Sequence, residues 1–420
     1  MSATNLTTPV NPRDVRGAQI AASFDIRRRG DDWIVPSQSG SGTYRVRMGK
    51  PHPTCSCPDH QLRRTKCKHI RAVEIRVTRE DRPDGTTVIT ETKRTTYKQN
   101  WPAYNKAQTN ETARVAELLA GLCRGIVQPK QGKGRPRLPL SDVVFSAVFK
   151  VYSTVSGRRA TSDLRDWQEK GYLTRTPHYN SVFNYLEDPA LTPVLKAMIE
   201  ESASPLRAVE TDFAVDASGF TTSRFERWYD HKYGDAGKER VWLKAHLMVG
   251  VKTNVITSVE VTPGSHHDSP YLPQLAQATA KRFAVKEVSA DKGYLSRENV
   301  AAVDRLGAVP YIPFKSNTTG DGPDLWRKLY HYFQFNRDDF LSHYHKRSNV
   351  ETAFSMLKGK FGDSIRAKTE TAQGNELLCK VLCHNLCVLV MAIYELGIEP
   401  VFWHGGTGQL ADSPRCLAVA

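Results

Sequence analysis

Acidic residues are scarce in this sequence relative to basic ones. Its 420 residues include 44 Asp and Glu against 59 Lys and Arg, which gives a formal net charge of +15. This excess favours a polyanionic partner, because a basic side chain that neutralises a phosphate releases condensed counterions. Charge by itself does not separate DNA, RNA and an acidic membrane. Hydrophobic residues make up 40% of the chain, enough to fill the cores of two or three soluble domains.

An uninterrupted apolar run of membrane-spanning length is also missing. Residues 1–17 have no apolar core of the kind that a signal peptide needs. The longest apolar stretch, residues 377–394, is broken by Lys380, His384 and Asn385, whereas a membrane-spanning helix needs about 20 mostly apolar residues. We therefore expect a cytoplasmic protein with no membrane partner. In such a reducing compartment, the eight cysteines are not expected to form a disulfide framework.

Three of the cysteines lie close together in the segment CSCPDHQLRRTKCKH, which supplies Cys55, Cys57, Cys67 and His69. Four soft ligands at this spacing fit tetrahedral Zn²⁺, and a bound ion would help to stabilise a module too small for a large core. The stretch resembles the SWIM zinc finger, in which Cys-x-Cys and Cys-x-His follow a β-hairpin, as predicted here. His60 is interpreted as a bystander. Buried thiols without a metal are the alternative.

Basic residues surround this cysteine cluster, and we leave open whether they contact DNA or a protein. They are Arg63, Arg64, Lys66, Lys68, Arg71, Arg76 and Arg79. Farther along, KGRPR at 133–137 has the composition of a linker, and it is similar to the core of a minor-groove AT-hook.

The predicted elements change in character near residue 208. Helical patterns precede that point, and three closely spaced strand patterns follow it. Helices and strands then alternate, and long helices end the chain. This order predicts an α/β fold with a mixed sheet covered by helices.

Two aspartates follow apolar strand patterns: Asp216 comes after residues 213–215, and Asp291 comes after KEVSA. Both are expected at strand ends, where side chains can converge on one edge of a sheet. Each aspartate taken alone is more often a turn residue.

A single acid, Glu351, lies among cations in the segment YHKRSNVETAFSMLK. On a continuous helix, Tyr344, Arg347, Glu351 and Lys358 share an arc of roughly 60°. An apolar stripe beside this arc is expected to dock on the sheet; it comprises Val350, Phe354, Leu357 and Phe361. Two structural alternatives exist for Glu351: a capping box that begins at Ser348 and a surface pair with Arg347.

Together the three acids resemble the motifs of the DDE transposases of bacterial and archaeal insertion sequences. The spacing of Tyr344, Arg347, Glu351 and Lys358 is that of the family's Tyr-Arg-Glu-Lys signature, and VDASGF and ADKGYLS resemble its two aspartate motifs. The resemblance implies a ribonuclease-H-like fold. It also implies that Asp216, Asp291 and Glu351 are catalytic and bind two Mg²⁺ or Mn²⁺ ions, ligands that suit hard cations.

DNA contacts and partners follow from the same resemblance. Tyr344, Arg347 and Lys358 would hold DNA phosphates, and Trp228 in RFERWYDHKY is a candidate for stacking on an unpaired base; packing within a hairpin is the alternative for Trp228. The expected partners are the element's terminal inverted repeats, target DNA and further copies of the chain in a dimer or larger assembly, nucleoid-associated in a prokaryote. The alternatives are a metal-dependent nuclease without strand transfer and a non-catalytic DNA-binding regulator.

The expected divisions of the chain combine both resemblances. They are a flexible arm at 1–30, a SWIM-like zinc finger at 31–80, a linker and helix with a basic Pro/Gly segment at 81–140, a helical DNA-binding module at 141–205, a ribonuclease-H-like catalytic domain at 206–400 and a tail at 401–420.

Overall fold

The computed structural model divides the chain into two compact units, Met1–Lys98 and Gln99–Ala420, and each unit is considered by itself below. The structure describes residues 12–38, 42–49, 52–81, 87–91, 100–134, 136–222 and 242–403.

The N-terminal unit contains three helices, a four-stranded antiparallel sheet with strand order β1-β2-β3-β4 and a separate two-stranded hairpin. Its elements are α1 (Pro12–Ser23), β1 (Arg27–Arg29), β2 (Asp32–Pro36), β3 (Thr43–Arg47), β4 (Thr54–Cys55), α2 (Pro58–Arg63), α3 (Lys68–Arg76), β5 (Val77–Asp81) and β6 (Thr87–Glu91). Side chains alternate between the faces of a strand, and one face of this sheet is buried. That face carries Trp33, Val35, Val46 and Cys55.

Helix α1 corrects the prediction of a flexible arm at 1–30. Residues 12–23 are helical, and Ile20 is fully buried in the core of the unit. Gly17 lets α1 approach α3 closely, because a Cβ at this position would lie 2.7 Å from the Cβ of Arg71. Sequence periodicity did not reveal this helix because α1 is short, and tertiary contact with α3 helps to stabilise it.

The second unit begins with helices and continues into a mixed sheet. Its helices before the sheet are α4 (Trp101–Cys123), α5 (Leu140–Tyr152), α6 (Gly157–Glu169), α7 (Tyr179–Leu186) and α8 (Leu191–Ala203). The later elements are β7 (Asp212–Thr221), β8 (Trp242–Gly250), β9 (Ile256–Pro263), α9 (Leu272–Ala280), β10 (Glu287–Ala290), α10 (Arg297–Asp304), β11 (Val309–Tyr311), α11 (Asp324–Phe335), α12 (Arg337–Tyr344), α13 (Ser348–Phe361) and α14 (Glu370–Leu396).

The sheet of the second unit has strand order β11-β10-β7-β8-β9. Strands β7, β8 and β9 form an antiparallel meander, and β10 is parallel to both β7 and β11. The predicted α/β fold with a mixed sheet and flanking helices is thus confirmed. Its topology places the C-terminal ends of β7's parallel segment and of β10 side by side.

Helix α14 is the central core helix of this unit. Among the described residues, it is long and apolar enough to cross a membrane by length and composition only, and 78% of its most apolar segment is buried. The polar residues that interrupt this segment bind buried groups: Lys380 donates to the carbonyl oxygens of Gly362 and Ser364 at 3.0 and 2.7 Å, and Asn385 bonds both backbone groups of Ile256. They connect α14 to the surrounding elements.

Candidate active site and zinc centre

Of the two aspartates predicted at strand ends, Asp291 directly follows β10, whereas Asp216 lies in the middle of β7, which remains paired with β8 as far as Thr221. Val215 and Ala290 are the last residues that β7 and β10 pair with each other, and Asp216 and Asp291 each come one position later. Neighbouring strands are about 4.8 Å apart, so the two backbones bring these acids to one edge of the parallel segment. The side chain of Asp216 is 22% exposed, and Asp291 is exposed.

The segment that carries Glu351 is not the single helix that the spacing predicted. Helix α12 ends at Tyr344, a 3-10 turn spans His345–Arg347, and α13 begins at Ser348. The capping-box alternative is not formed, because the hydroxyl of Ser348 donates to the carbonyl oxygen of His345 and no side chain caps α13. Helical spacing could not reveal the turn, since a 3-10 turn changes the side-chain directions by little per residue.

Helix α13 still docks on the sheet as predicted. The apolar stripe of Val350, Phe354, Leu357 and Phe361 is buried, with exposed fractions between 0% and 8%. The Glu351 side chain, in contrast to this buried stripe, is 57% exposed. The helix therefore docks through its apolar stripe and leaves Glu351 accessible to solvent.

Arg347 bridges two of the three predicted catalytic acids. Its guanidinium donates to Oδ2 of Asp216 at 2.8 Å and to Oε1 of Glu351 at 2.5 Å, so the pair between Arg347 and Glu351 is present. With this cation between them, the three carboxylates do not all approach within 4.8 Å. Among the described residues, only the zinc-finger cluster meets that distance.

Burial raises the pKa of the Asp216 carboxyl, and the charges of Asp291 and Glu351 raise it further. The backbone N–H of Ala217 and the charge of Arg347 act in the opposite direction. The charged form of Asp216 is thus disfavoured by its neighbours and favoured by a nearby cation. This electrostatic balance is what a cation-binding carboxylate cluster requires.

Three cations from the α12–α13 region each donate to a different side chain on one face of β7. Lys346 reaches Asp212 at 2.7 Å, Arg347 reaches Asp216 at 2.8 Å, and Lys358 reaches Ser218 at 2.7 Å. Burial also lowers the pKa of Lys358. Tyr344, at the end of α12, lies beside Arg347, with the guanidinium carbon 6.0 Å from its ring centre. Trp228 lies outside the described residues.

Lys346 belongs to a network that the sequence reasoning did not identify. Its ammonium also donates to Glu287 at 2.6 Å, and His343 contacts the same carboxylate at 2.9 Å. Burial raises the pKa of Asp212, but the hydrogen bond and charge of Lys346 outweigh this effect, so the pKa is lowered overall. The sequence feature that could have indicated this network is an acid at the start of each strand, Asp212 on β7 and Glu287 on β10. The network attaches the turn that carries Arg347 to both strands.

We expect Lys346→Met to destabilise the second unit by roughly 1–3 kcal/mol, because Asp212 and Glu287 would lose a shared, partly buried partner. Urea denaturation of the purified full-length protein measures this change. Arg327→Met is the matched control: it removes an exposed pair with Asp324 and should cost less than about 1 kcal/mol. Equal effects of the two substitutions would show that the network does not hold the turn.

Tyr294, in the motif ADKGYLS, is a second residue that the sequence analysis missed. It is 2% exposed, and its hydroxyl has no hydrogen-bond partner among the described residues. Burial raises its pKa, as do the charges of Asp216, Asp268 and Asp291. The Tyr294 side chain is therefore a neutral phenol, because burial and the nearby aspartates disfavour its charged form.

The predicted zinc ligands form one buried cluster in the N-terminal unit. One ligand atom from each of Cys55, Cys57, Cys67 and His69 lies within 4.8 Å of the others. Strand β4 supplies Cys55, Cys57 is the N-cap of α2, and the start of α3 supplies His69. His60 bonds the carbonyl oxygen of Thr65 through Nδ1 and is not among the four, which confirms its interpretation as a bystander.

The distances in this cluster fit a zinc ion. Nδ1 of His69 lies 3.9 Å from Sγ of Cys55 and 3.9 Å from Sγ of Cys67. A tetrahedral site with Zn–S near 2.3 Å and Zn–N near 2.0 Å has S···N edges of about 3.6 Å. A hydrogen bond from the Cys55 thiol, with a smaller contribution from His69, lowers the pKa of Cys67. The hydrogen bond with Cys67 raises the pKa of Cys55, and burial raises the pKa of Cys57, so the cluster favours the thiolate form that a metal binds at Cys67 alone.

The fold and these two sites define a class: a ribonuclease-H-like domain with acids on and beside two parallel strands, in a chain that also has a Cys/His cluster suited to zinc. Comparison with known families identifies both parts. Residues 207–386 match the transposase DDE domain, and residues 44–77 match the SWIM zinc finger. The chain thus contains one segment that matches the transposase DDE domain and one that matches the SWIM zinc finger, as the motifs predicted.

One relative is a protein named "Probable transposase for insertion sequence element ISA1214" from Archaeoglobus fulgidus. It is 26% identical over 178 residues, which cover 42% of this chain and 53% of the relative. The match thus spans about half of the relative's length. No solved structure matches the chain.

Proposed function

We propose that the protein is a DNA transposase of an insertion sequence. It would bind the element's terminal inverted repeats, cleave at the element ends and join the 3′-hydroxyl ends to target DNA. The proposal rests on the arrangement around Asp216, whose carboxyl is affected by the charges of both Asp291 and Glu351. Asp216 lies within β7, one position beyond its last pair with β10, Asp291 follows β10, and a single guanidinium reaches both Asp216 and Glu351.

The three carboxylates fit a pair of hard divalent cations, Mg²⁺ or Mn²⁺, because their oxygens are the ligands that such ions prefer. Bound there, the ions would activate a water or a 3′-hydroxyl and stabilise the leaving oxygen. The raised pKa of Asp216 is consistent with this assignment, since a cation would offset the burial that chiefly raises it and the smaller repulsion from Asp291 and Glu351.

Arg347 and Lys358 would hold the DNA phosphates beside the carboxylates. A guanidinium can bind phosphate through two parallel hydrogen bonds, and Arg347 is held in place by Asp216. Lys358, partly desolvated against β7, would add a point charge. Tyr344 would contact the same strand, and Trp228 would stack on an unpaired base.

Helices α5 to α8 would form the DNA-binding module. Helix α6 exposes Arg158, Arg159 and Arg165, and α7 follows it after a short connection. Because two element ends must be processed together, the active form would be a dimer or a larger assembly. The protein would act in the cytoplasm, associated with the nucleoid.

The proposal is tested with DNA from either side of the coding region, where inverted repeats are expected. Labelled end fragments and a plasmid target are incubated with the protein and Mg²⁺, and the products are resolved on a sequencing gel. We expect cleavage at the repeat boundary and joined products with the plasmid. Cleavage without joined products would indicate a nuclease, and binding without cleavage would indicate a regulator.

A further inference from the structure

On the solvent-facing side of the N-terminal sheet, arginines lie on β1 and β3, the two strands that pair with β2. In the register of this sheet, Arg27 and Arg45 flank Ile34, and Arg29 and Arg47 flank Asp32. Directly paired residues share a face, and so do residues two apart on a strand. All four arginines therefore project from the same face, opposite the buried side that carries Trp33 and Val46.

These four arginines form two columns, and all of them are exposed. The columns, on β1 and β3, are separated by β2 and are therefore about 10 Å apart. Within the described residues, Arg29 and Arg45 have no carboxylate partner. Arg27 pairs with Asp25, which is 62% exposed, and Arg47 pairs with Asp32. We call this surface the arginine face.

The basic residues near the zinc ligands share two carboxylates. Arg63 pairs with Asp59, and Lys66 pairs with Glu74. The same two acids also pair with Arg13 and Arg71. Positive charge therefore remains on that side as well, but Arg63 and Lys66 themselves are held by ion pairs. The arginine face differs in that strand register arranges its four arginines in a regular array, in which Arg29 and Arg45 have no carboxylate partner among the described residues.

We propose that the arginine face binds the phosphate backbone of duplex DNA. The choice of DNA as the polyanion rests on the proposed function, while the surface itself rests on the register and the exposed charges. Backbone contacts need cations arrayed over a surface and no deep pocket, and this open sheet face provides such an array. The finger would then add sequence-independent affinity and position the protein on its substrate.

An acidic protein is the competing partner, and two features favour DNA. Arginine forks bind phosphate and carboxylate alike, but the face has little apolar surface from which to build the core of a protein interface. Ile34 is its one large apolar side chain among the described residues, and it is only partly exposed. A charged and polar array of this kind is typical of a nucleic-acid interface.

The experiment measures binding of the full-length protein to a fluorescein-labelled duplex of arbitrary sequence over a range of salt concentrations, without divalent metal. The test variant is Arg29→Gln with Arg45→Gln. We expect the plot of log Kobs against log [salt] to become less steep by about 1.8, since each phosphate contact contributes about 0.9. At 0.1 M salt the affinity should fall roughly 10- to 100-fold.

The matched control is Arg63→Gln with Lys66→Gln, which removes the same amount of charge from the same unit. Asp59 and Glu74 keep their other partners, Arg13 and Arg71, so this variant should change the slope much less. The charge-retaining variant Arg29→Lys with Arg45→Lys should keep a slope close to that of the wild type. Zinc content and thermal melting check that each variant is folded.

An unchanged slope in the arginine-face variant would overturn the proposal, and so would equal losses in that variant and the control. The result is independent of catalysis. A protein that showed the expected slopes but failed the cleavage and joining assay would lose the proposed function and keep the DNA-binding surface. If the wild-type protein cleaved and joined ends but the arginine-face variant kept an unchanged slope, the proposed function would stand and the arginine face would be ruled out as a DNA-binding surface.

Discussion

Replacing Glu351 with Gln is expected to reduce strand cleavage at the element ends by a factor of about 10³ or more, on the scale seen when one member of a catalytic group is removed. The carboxamide keeps the shape of the side chain but cannot supply an anionic ligand. Because the Glu351 side chain is 57% exposed and lies outside the apolar stripe of α13, the fold should persist. Binding of the terminal repeats should therefore be retained.

The measurement pairs a cleavage assay with a gel-shift assay on the same end fragments, and a Mn²⁺ titration followed by electron paramagnetic resonance supplies a readout besides activity. Glu399→Gln is the matched control, since it neutralises an exposed glutamate away from the carboxylate cluster. The control should cleave as the wild type does and bind Mn²⁺ normally. Full cleavage by the Glu351→Gln protein would remove Glu351 from the catalytic group.

Replacing Cys67 with Ser is expected to abolish zinc binding and unfold the N-terminal unit. Binding of a structural zinc contributes about 10–16 kcal/mol of apparent free energy in isolated fingers, which exceeds the stability of most small modules. Zinc content is measured by inductively coupled plasma mass spectrometry. Limited proteolysis should then show rapid cleavage within residues 12–91, while the second unit resists.

Cys387→Ser is the control for this substitution. Cys387 is a partly exposed thiol on α14 and is not a member of the four-residue cluster. Its replacement should leave the zinc content unchanged. A Cys67→Ser protein that kept its zinc and its protease resistance would show that the cluster is not the binding site.

The sheet and the zinc cluster were predictable because their signals are local or strongly periodic. Three closely spaced strand patterns predicted β7 to β9, and alternating helix and strand patterns predicted the elements after them. Likewise, the ligands of the cysteine cluster lie within one short segment of sequence. Domain boundaries remain predictions beyond the two compact units, because linkers and small helices carry weak signals.

The errors share a different cause. Helix α1 carries too little apolar periodicity to stand out, yet the close approach to α3 at Gly17 stabilises it. The 3-10 turn at His345–Arg347 interrupts the segment from Tyr344 to Lys358, in which the residue spacing predicts one continuous helix. The network of Lys346 with Asp212 and Glu287 joins residues far apart in the chain, and no pattern within a local window indicates such pairs.

By itself, the sequence determined the chemistry available to this protein: three separated acids with a recognisable spacing of cations, four soft metal ligands and a large excess of positive charge. These properties depend on residue type and local spacing. The tertiary structure decided which groups meet, because strand register and helix docking set distances between residues remote in sequence. It placed Arg347 between Asp216 and Glu351, paired Arg63 and Lys66 beside the zinc ligands with Asp59 and Glu74, and left an array of arginines exposed on the solvent-facing side of the finger's sheet.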